Sequence, residues 1–261
     1  MAAAQLGYAA FFLIGRRMRD IRIHAALALA IDTEWPLPVQ AGEHVARVLR
    51  LEVGDPLILF NGDGCDYPAV IVALGKREVV VRVTARQPLG NESPLALTLA
   101  QGMARGEKMD LIVQKATELG VARIVPLLTE RSEVKLDAAR AEKRLAHWRA
   151  VAASACEQSG RARLPEITPT LPLSAWLDHL QGNGALRLAL LPQATCAPRE
   201  LRFGAAGGLL VVGPEGGLGE RDVRALGAAG FEGLRLGPRI LRTETAGLAA
   251  LAALQAWHGD L

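Results

Sequence analysis

Apolar residues fall in short runs separated by turn formers over the first third of the chain. Pro56–Phe60 (PLILF), residues 67–74 and residues 78–85 are β-rich, and Asn61-Gly62-Asp63-Gly64 and Gly75-Lys76 break them. Strands joined by tight turns predict a small antiparallel sheet or barrel over residues 45–85. Residues 86–94 (RQPLGNESP) are polar and rich in turn formers, the composition of a domain boundary. Beyond it the pattern alternates. Residues 95–100 are an apolar run, and residues 106–119 put Met109, Ile112, Val113, Ala116 and Leu119 on one helical face. Residues 121–128 read as a strand. Residues 137–159 read as a long helix striped by Ala138, Ala141, Leu145, Trp148, Ala152 and Ala155. Residues 186–191, 208–212 and 233–236 are further strands. Strands alternating with helices predict an α/β fold: a parallel sheet covered on both faces, with ligands at the carboxyl ends of its strands.

The final helix, residues 243–258 (TETAGLAALAALQAWH), is apolar on nearly every side, with Leu248, Leu251, Leu254 and Trp257 at i+3 spacing. Such a helix needs cover all round. Either a second subunit supplies the outer cover, giving a homodimer, or the helix is central to its own domain.

Composition narrows the function classes. Aromatic residues are 4% of the chain, which argues against a surface built on base stacking. The net charge of +3 and pI near 9.0 suit a polyanionic partner without demanding one. Cys65, Cys156 and Cys196 are odd in number and widely spaced, which fits a reducing cytoplasm better than a disulfide framework or thiolate zinc. The histidines are scattered, H-E-x-x-H and G-x-S-x-G are both missing, and no metal site is expected. Residues 9–15 (AAFFLIG) are too short to span a bilayer. Arg16 and Arg17 follow that run, whereas a signal peptide carries its basic residues first. Met18 opens MRDIRIH like a second start, so residues 1–17 read as an upstream extension outside the fold.

The candidate chemistry lies at two glycine turns. Gly213, Pro214, Glu215, Gly216 and Gly217 follow the apolar strand GLLVV, where backbone can approach a ligand closely. The turn is neither G-x-G-x-x-G nor a P-loop. Glu215, Glu220 and Asp222 would repel a phosphate and suit a phosphate-free ligand with a positive centre, such as S-adenosylmethionine; a plain β-turn is the alternative. Leu236, Gly237, Pro238, Arg239, Ile240, Leu241 and Arg242 form the second turn, and Thr243 is placed to cap the final helix. Two such turns at strand ends suggest one shared pocket. Arg19, Arg22, Arg47, Arg50, Lys108, Lys115, Arg131 and Lys135 are either solvated charges or contacts to RNA phosphates. Arg140, Arg144 and His147 make a further basic stripe on the long helix.

From Met18 to the C-terminus the chain resembles the RsmE family of ribosomal RNA uridine-N3 methyltransferases, in the SPOUT superfamily. The resemblance is carried, in order, by MRDIRIH, HVARVLRL, GEKMDLIVQKATELG, ERSEVK, ACEQSGR, GPEGG and LGPRILRTETA. It implies a PUA-like β-barrel for RNA over residues 18–88, then a trefoil-knotted SPOUT domain over residues 93–261. It also implies a homodimer with the pocket near the subunit interface. S-adenosylmethionine would be held by Leu191, Pro192, Gly213 to Gly217, Leu236, Gly237, Ile240, Leu241, Arg242 and Thr243. The implied substrate is a uridine of 16S ribosomal RNA, within the 30S particle. Arg242 is the candidate for stabilising charge on the uracil, and Glu244 or Glu215 for taking its proton. A glutamate does that well only with a raised pKa. The competing readings are a related methyltransferase acting on transfer RNA or another ribosomal position, and an RNA-binding assembly factor without catalysis. A Rossmann dehydrogenase lacks its fingerprint here.

Overall fold

The computed structural model describes residues 21–75, 78–133, 137–180, 182 and 184–261. Residues 1–17, Arg19 and Lys135 lie outside the described residues. The chain divides into two compact units, one ending at Pro88 and the other spanning Leu89–Leu261.

In the first unit the strands are β1 (Arg22–His24), β2 (Glu34–Pro36), β3 (Pro56–Phe60), β4 (Cys65–Leu74), β5 (Val79–Val83) and β6 (Gln87–Pro88), with α1 (Val39–Glu43) running into a π-helical turn at His44–Val48. They form one sheet in the order β1-β3-β4-β5-β2, with β6 paired to β4. Most pairs are antiparallel, as the turns predict, but β1 joins β3 in parallel. A bulge between Ile71 and Ala73 bends the long β4. Alternating residues turn inward, so Leu57, Leu59, Tyr67, Ala69, Ile71, Val81 and Val83 share one core with Ile23 and Val45. The sequence pattern did not reveal β1, β2 or the helical segment. Three-residue strands leave too little periodicity to read.

The second unit comprises β7 (Leu97–Gly102), α2 (Lys108–Glu118), β8 (Arg123–Leu128), α3 (Ala138–Ser159), β9 (Glu166–Ile167), β10 (Leu171–Pro172), α4 (Leu173–Asp178), β11 (Leu186–Leu190), β12 (Gly208–Val212), α5 (Glu220–Ala228), β13 (Glu232–Leu234) and α6 (Thr243–His258). Its sheet runs β10-β8-β7-β12-β11-β13, with β9 paired to β8, and every pairing is parallel. A central parallel strand is covered on both faces, so its residues are apolar throughout. β12 does this for two cores at once. Leu210 and Val212 enter a cluster with Leu99, Ile112, Ile124, Trp148 and Leu251, while Leu209 and Val211 join Leu127, Trp176 and Phe231. Asp137 caps α3, its carboxylate accepting from the Arg140 amide at 2.8 Å.

The strand order places the site. After β12 the chain passes beyond β11 to pair as β13, then returns so that α6 packs on β7, β12 and α2. The return segment, Arg235 to Arg242, crosses the carboxyl ends of β11 and β12 on the way. Gly247 lets α6 lie close on the sheet, since a Cβ there would sit 3.2 Å from Gln101 Oε1 and 3.5 Å from Leu99 and Val212. Within one chain α6 is covered on one side only: Gly247, Ala250, Leu251 and Leu254 are buried, and Trp257 is 63% exposed. No helix among the described residues is long and apolar enough to cross a membrane.

Candidate functional site: a cavity at the strand ends

A cavity of about 530 Å³ opens at the carboxyl ends of β11, β12 and β13. It is lined by every residue the sequence assigned to the cofactor: Leu191 and Pro192 after β11, Gly213 to Gly217 after β12, and Leu236, Gly237, Ile240, Leu241, Arg242 and Thr243 after β13. The last residues of those strands, Leu190, Val212 and Leu234, form its inner wall. Sequence reasoning missed these three, although the strand-end rule points to them. It also missed Gln193, Leu218, Arg235 and Ala246.

The two glycine turns meet through a buried polar link. Gln101, the penultimate residue of β7, is fully buried. Its Nε2 donates to Thr243 Oγ1 at 2.9 Å, and Thr243 Oγ1 donates to the Gly213 carbonyl at 2.6 Å. Thr243 therefore does not cap α6. Arg242 is the N-cap residue and makes no side-chain cap bond, a guanidinium having no acceptor to offer, and the Thr243 hydroxyl is spent on the neighbouring turn. A lone glutamine in LTLAQG was the available signal, since a buried amide needs partners.

The GPEGG turn is held at close quarters. A Cβ on Gly213 would lie 2.8 Å from the Gly217 and Leu218 backbone, and Gly217 has φ of +70°. Gly102 abuts the turn from β7: a Cβ there would stand 2.6 Å from both Pro214 Cδ and Pro214 N. A methyl group cannot enter without moving Pro214, and such overpacking costs about 1–3 kcal/mol. Gly102→Ala is accordingly expected to weaken ligand binding in this cavity about tenfold, each 1.4 kcal/mol being one decade. Calorimetric titration with S-adenosylmethionine reads the change, and an unaltered Kd would sink the assignment.

The two carboxylates that line the cavity, Glu215 and Glu244, both face Lys108. Glu215 Oε1 accepts from the Arg105 amide and from Lys108 Nζ, each at 3.0 Å. Burial works against the Glu215 carboxylate, but those two donors outweigh it and hold its carboxyl below the usual glutamate range. That direction disfavours Glu215 as a proton acceptor. A depressed value also means that this carboxylate stabilises the fold above the ordinary range and loses that contribution only as pH falls through the lower folded value. An NMR titration of the Glu215 carboxyl should find a midpoint below that of a model glutamate, moving up in Lys108→Met. A midpoint at or above the model value contradicts the pairing. Lys108 Nζ also lies 3.6 Å from Glu244 Oε2, a buried oxygen with no hydrogen-bond partner among the described residues.

Of the three acids that the sequence set against a phosphate, only Glu215 lines the cavity. Glu220 is exposed and Asp222 is buried, and neither lines the cavity. Asp222 instead accepts from the Gly219 amide, and Glu130 Oε2 accepts from the Arg221 amide, so donors at the start of α5 are already used.

The basic residues divide. Lys108 and Arg131 line the cavity. Lys115 is paired with Glu118 at 2.8 Å. Arg22 is enclosed in the first unit, its side chain 8% exposed, paired with Asp66 and lying over the Phe60 ring. It is thus committed to packing rather than presented to a phosphate. Arg47 and Arg50 are exposed in that unit, Arg47 beside Glu43. His147 of the α3 stripe is bonded to Asp110 at 2.8 Å. Among the described residues no group of three or more His, Cys, Asp or Glu side chains could hold a metal ion.

Two family models, both of RNA methyltransferases, match this chain. Residues 91–255 match the RNA methyltransferase domain, and residues 37–84 match the RNA methyltransferase PUA domain. Ribosomal RNA small subunit methyltransferase E of Buchnera aphidicola is 32% identical, the alignment covering 94% of this chain and 99% of that protein. The Bacillus subtilis protein of the same name is 33% identical over 81% of this chain and 85% of its own. Among solved structures, ribosomal RNA small subunit methyltransferase E from Neisseria gonorrhoeae bound to S-adenosyl methionine is 37% identical, with a TM-score of 0.88 over 92% of this chain and 99% of that one. A Legionella pneumophila methyltransferase in complex with S-adenosylmethionine is 40% identical, with a TM-score of 0.89 over 93% of this chain and 100% of that one. The chain belongs to the ribosomal RNA small subunit methyltransferase E family, as its ordered motifs indicated.

Proposed function

We propose that this protein methylates N3 of a uridine in 16S ribosomal RNA of the small subunit, using S-adenosylmethionine. The observation that carries the reading is the meeting of GPEGG and LGPRILRT around one strand-end cavity, joined through Gln101, Thr243 and Gly213. The residues present fit the cofactor. The volume is that of a small-molecule site. Leucines at the strand ends offer apolar surface for an adenosine, and the carboxylates of Glu215 and Glu244 suit a cationic ligand. Leu191, Pro192, Gly213 to Gly217 and Leu236 to Thr243 would hold it, Arg242 through its main chain only. S-adenosylmethionine supplies an electrophilic methyl carbon on its sulfonium.

The protein's own work is to position and to manage charge. Uracil N3 must be held in line with that carbon, and a paired uridine must first be turned out of its helix. The N3 proton must leave before or during attack. Glu244 is assigned to take it, because Oε2 is buried and bears no hydrogen bond among the described residues. Arg242 is assigned to stabilise the negative charge that develops on the ring, from its exposed position on the cavity rim.

Residues 93–261 are assigned this chemistry and residues 18–88 the grip on RNA, with Arg47 and Arg50 toward its phosphates. The substrate is the 30S particle, in the cytoplasm. The working form is a homodimer, supported by Trp257 and Leu261, each 63% exposed at the end of α6. Sedimentation equilibrium at micromolar protein should return twice the chain mass; a monomer removes the dimer from the proposal. Tritium transfer from labelled cofactor should favour 30S particles over transfer RNA. Mass mapping should show N3-methyluridine in 16S RNA from cells with the protein and none without it. Unchanged RNA in the two strains would defeat the proposal.

A further inference from the structure

The loop after β8 carries a residue that stands at the cavity without being part of either glycine turn. Arg131 NH1 donates to the Gly216 carbonyl at 2.9 Å. Its aliphatic stem lies beneath the same residue, where a Cβ on Gly216 would meet Arg131 Cβ at 3.2 Å and Cδ at 3.6 Å. One side chain therefore supports the Gly216 peptide by packing and by a charge-assisted hydrogen bond.

The residue before it fastens the far end of the turn. The N-cap residue of α5 is Gly219, which has no side chain to cap the helix. Glu130 supplies the missing oxygen from another loop: Oε2 accepts from the Arg221 amide at 3.0 Å. Asp222 completes the arrangement, accepting from the Gly219 amide at 2.9 Å and from the Glu130 amide at 3.1 Å. The gap at Gly219 is occupied, since a Cβ there would fall 2.1 Å from Glu130 Oε2. The turn is thus gripped at Gly216 and at Gly219 by consecutive residues of one loop.

We propose that Arg131 is a positioning residue for the cofactor turn, holding the Gly216 peptide in register, and is not a phosphate contact. The inference rests on the proposed use of this cavity for S-adenosylmethionine. It explains why an arginine serves here. The stem packs under a glycine while the rigid donor fork reaches a carbonyl, and an error of about an ångström in such an element can cost two decades in function.

Calorimetry on the full chain separates the roles. Arg131→Ala should bind S-adenosylmethionine about tenfold more weakly, Arg131→Met should fall between, and Arg131→Lys should recover to within about threefold. The KM for S-adenosylmethionine should rise while kcat stays within about threefold. The salt dependence of RNA binding should keep its slope, whereas loss of a phosphate contact lowers it by about one. Cofactor affinity within about twofold of the unaltered protein in Arg131→Ala overturns the inference. So does a reduced RNA salt slope with cofactor binding intact. Arg131→Met tests the guanidinium alone should the alanine protein fail to fold, and failure of both overturns a role confined to the turn. Unaltered protein that binds no S-adenosylmethionine would instead refute the functional proposal beneath it.

Discussion

Arg242→Ala is expected to slow methyl transfer about a hundredfold while leaving cofactor affinity within about threefold, the pattern of a group that acts only on charge developing in the transition state. The geometry behind this is local. Arg242 is the N-cap residue of α6 with an extended backbone, φ −66° and ψ 155°, and its carbonyl accepts from the Thr245 and Ala246 amides at 2.9 and 2.8 Å. Those bonds fix the main chain and leave the side chain free to turn toward the cavity mouth. No described residue pairs with its guanidinium, in contrast to Lys108 and Arg131. Single-turnover transfer to 30S particles measures the effect without product release. Arg242→Lys should recover part of the rate, because charge returns but the planar donor fork does not. A rate within about threefold of the unaltered enzyme would assign the electrostatic work elsewhere, with Arg239 on the same rim the next residue to test.

Arg161→Met is expected to remove about 3 kcal/mol of stability, and for a unit of this size to lower Tm by about 6–12 °C. The side chain is 7% exposed and its donors are occupied: Nε and NH2 meet Glu92, the latter at 2.6 Å, while NH1 donates to the carbonyls of Thr117 and Val121 at 2.8 and 3.1 Å. It ties the end of α2, the start of β8 and the segment before β7 to the end of α3. Methionine keeps most of the volume but strands two carbonyls and a carboxylate. Glu92 is 24% exposed and can reach water, which sets the estimate at the low end for a broken buried pair. Thermal melting followed by circular dichroism is the measurement; a shift under about 2 °C would show that the interior relaxes around the loss. ACEQSGR carried family resemblance in the sequence, and in the fold its arginine is a structural clamp remote from the cavity.

The catalytic unit was legible in outline because its elements are long and strongly patterned. The runs at β7, β8, β11 and β12 are dominated by apolar residues, and α2, α3 and α6 carry helical stripes. Most short elements were not legible: residues 233–236 announced β13, but β9 and β10 have two residues each, and α4 follows a proline with only six. Their existence depends on a neighbour offering an edge. The basic residues show the same limit. Arg22, Lys108 and Lys115 look alike as letters, yet one is packed on Phe60, one bridges two cavity carboxylates and one closes an i,i+3 pair.

The sequence by itself determined the α/β alternation, the two glycine turns and the family, because each is written in local period, local turn chemistry or motif order. The tertiary structure alone decided how the turns become one site. The return of the chain past β11 and β12 brings Thr243 to Gly213 across 30 positions, and Gln101 to Thr243 across 142. Glu130 reaches the start of α5 across 91. Contacts at such separations leave no periodic trace. They arise where buried donors and acceptors must find partners once packing has chosen their neighbours.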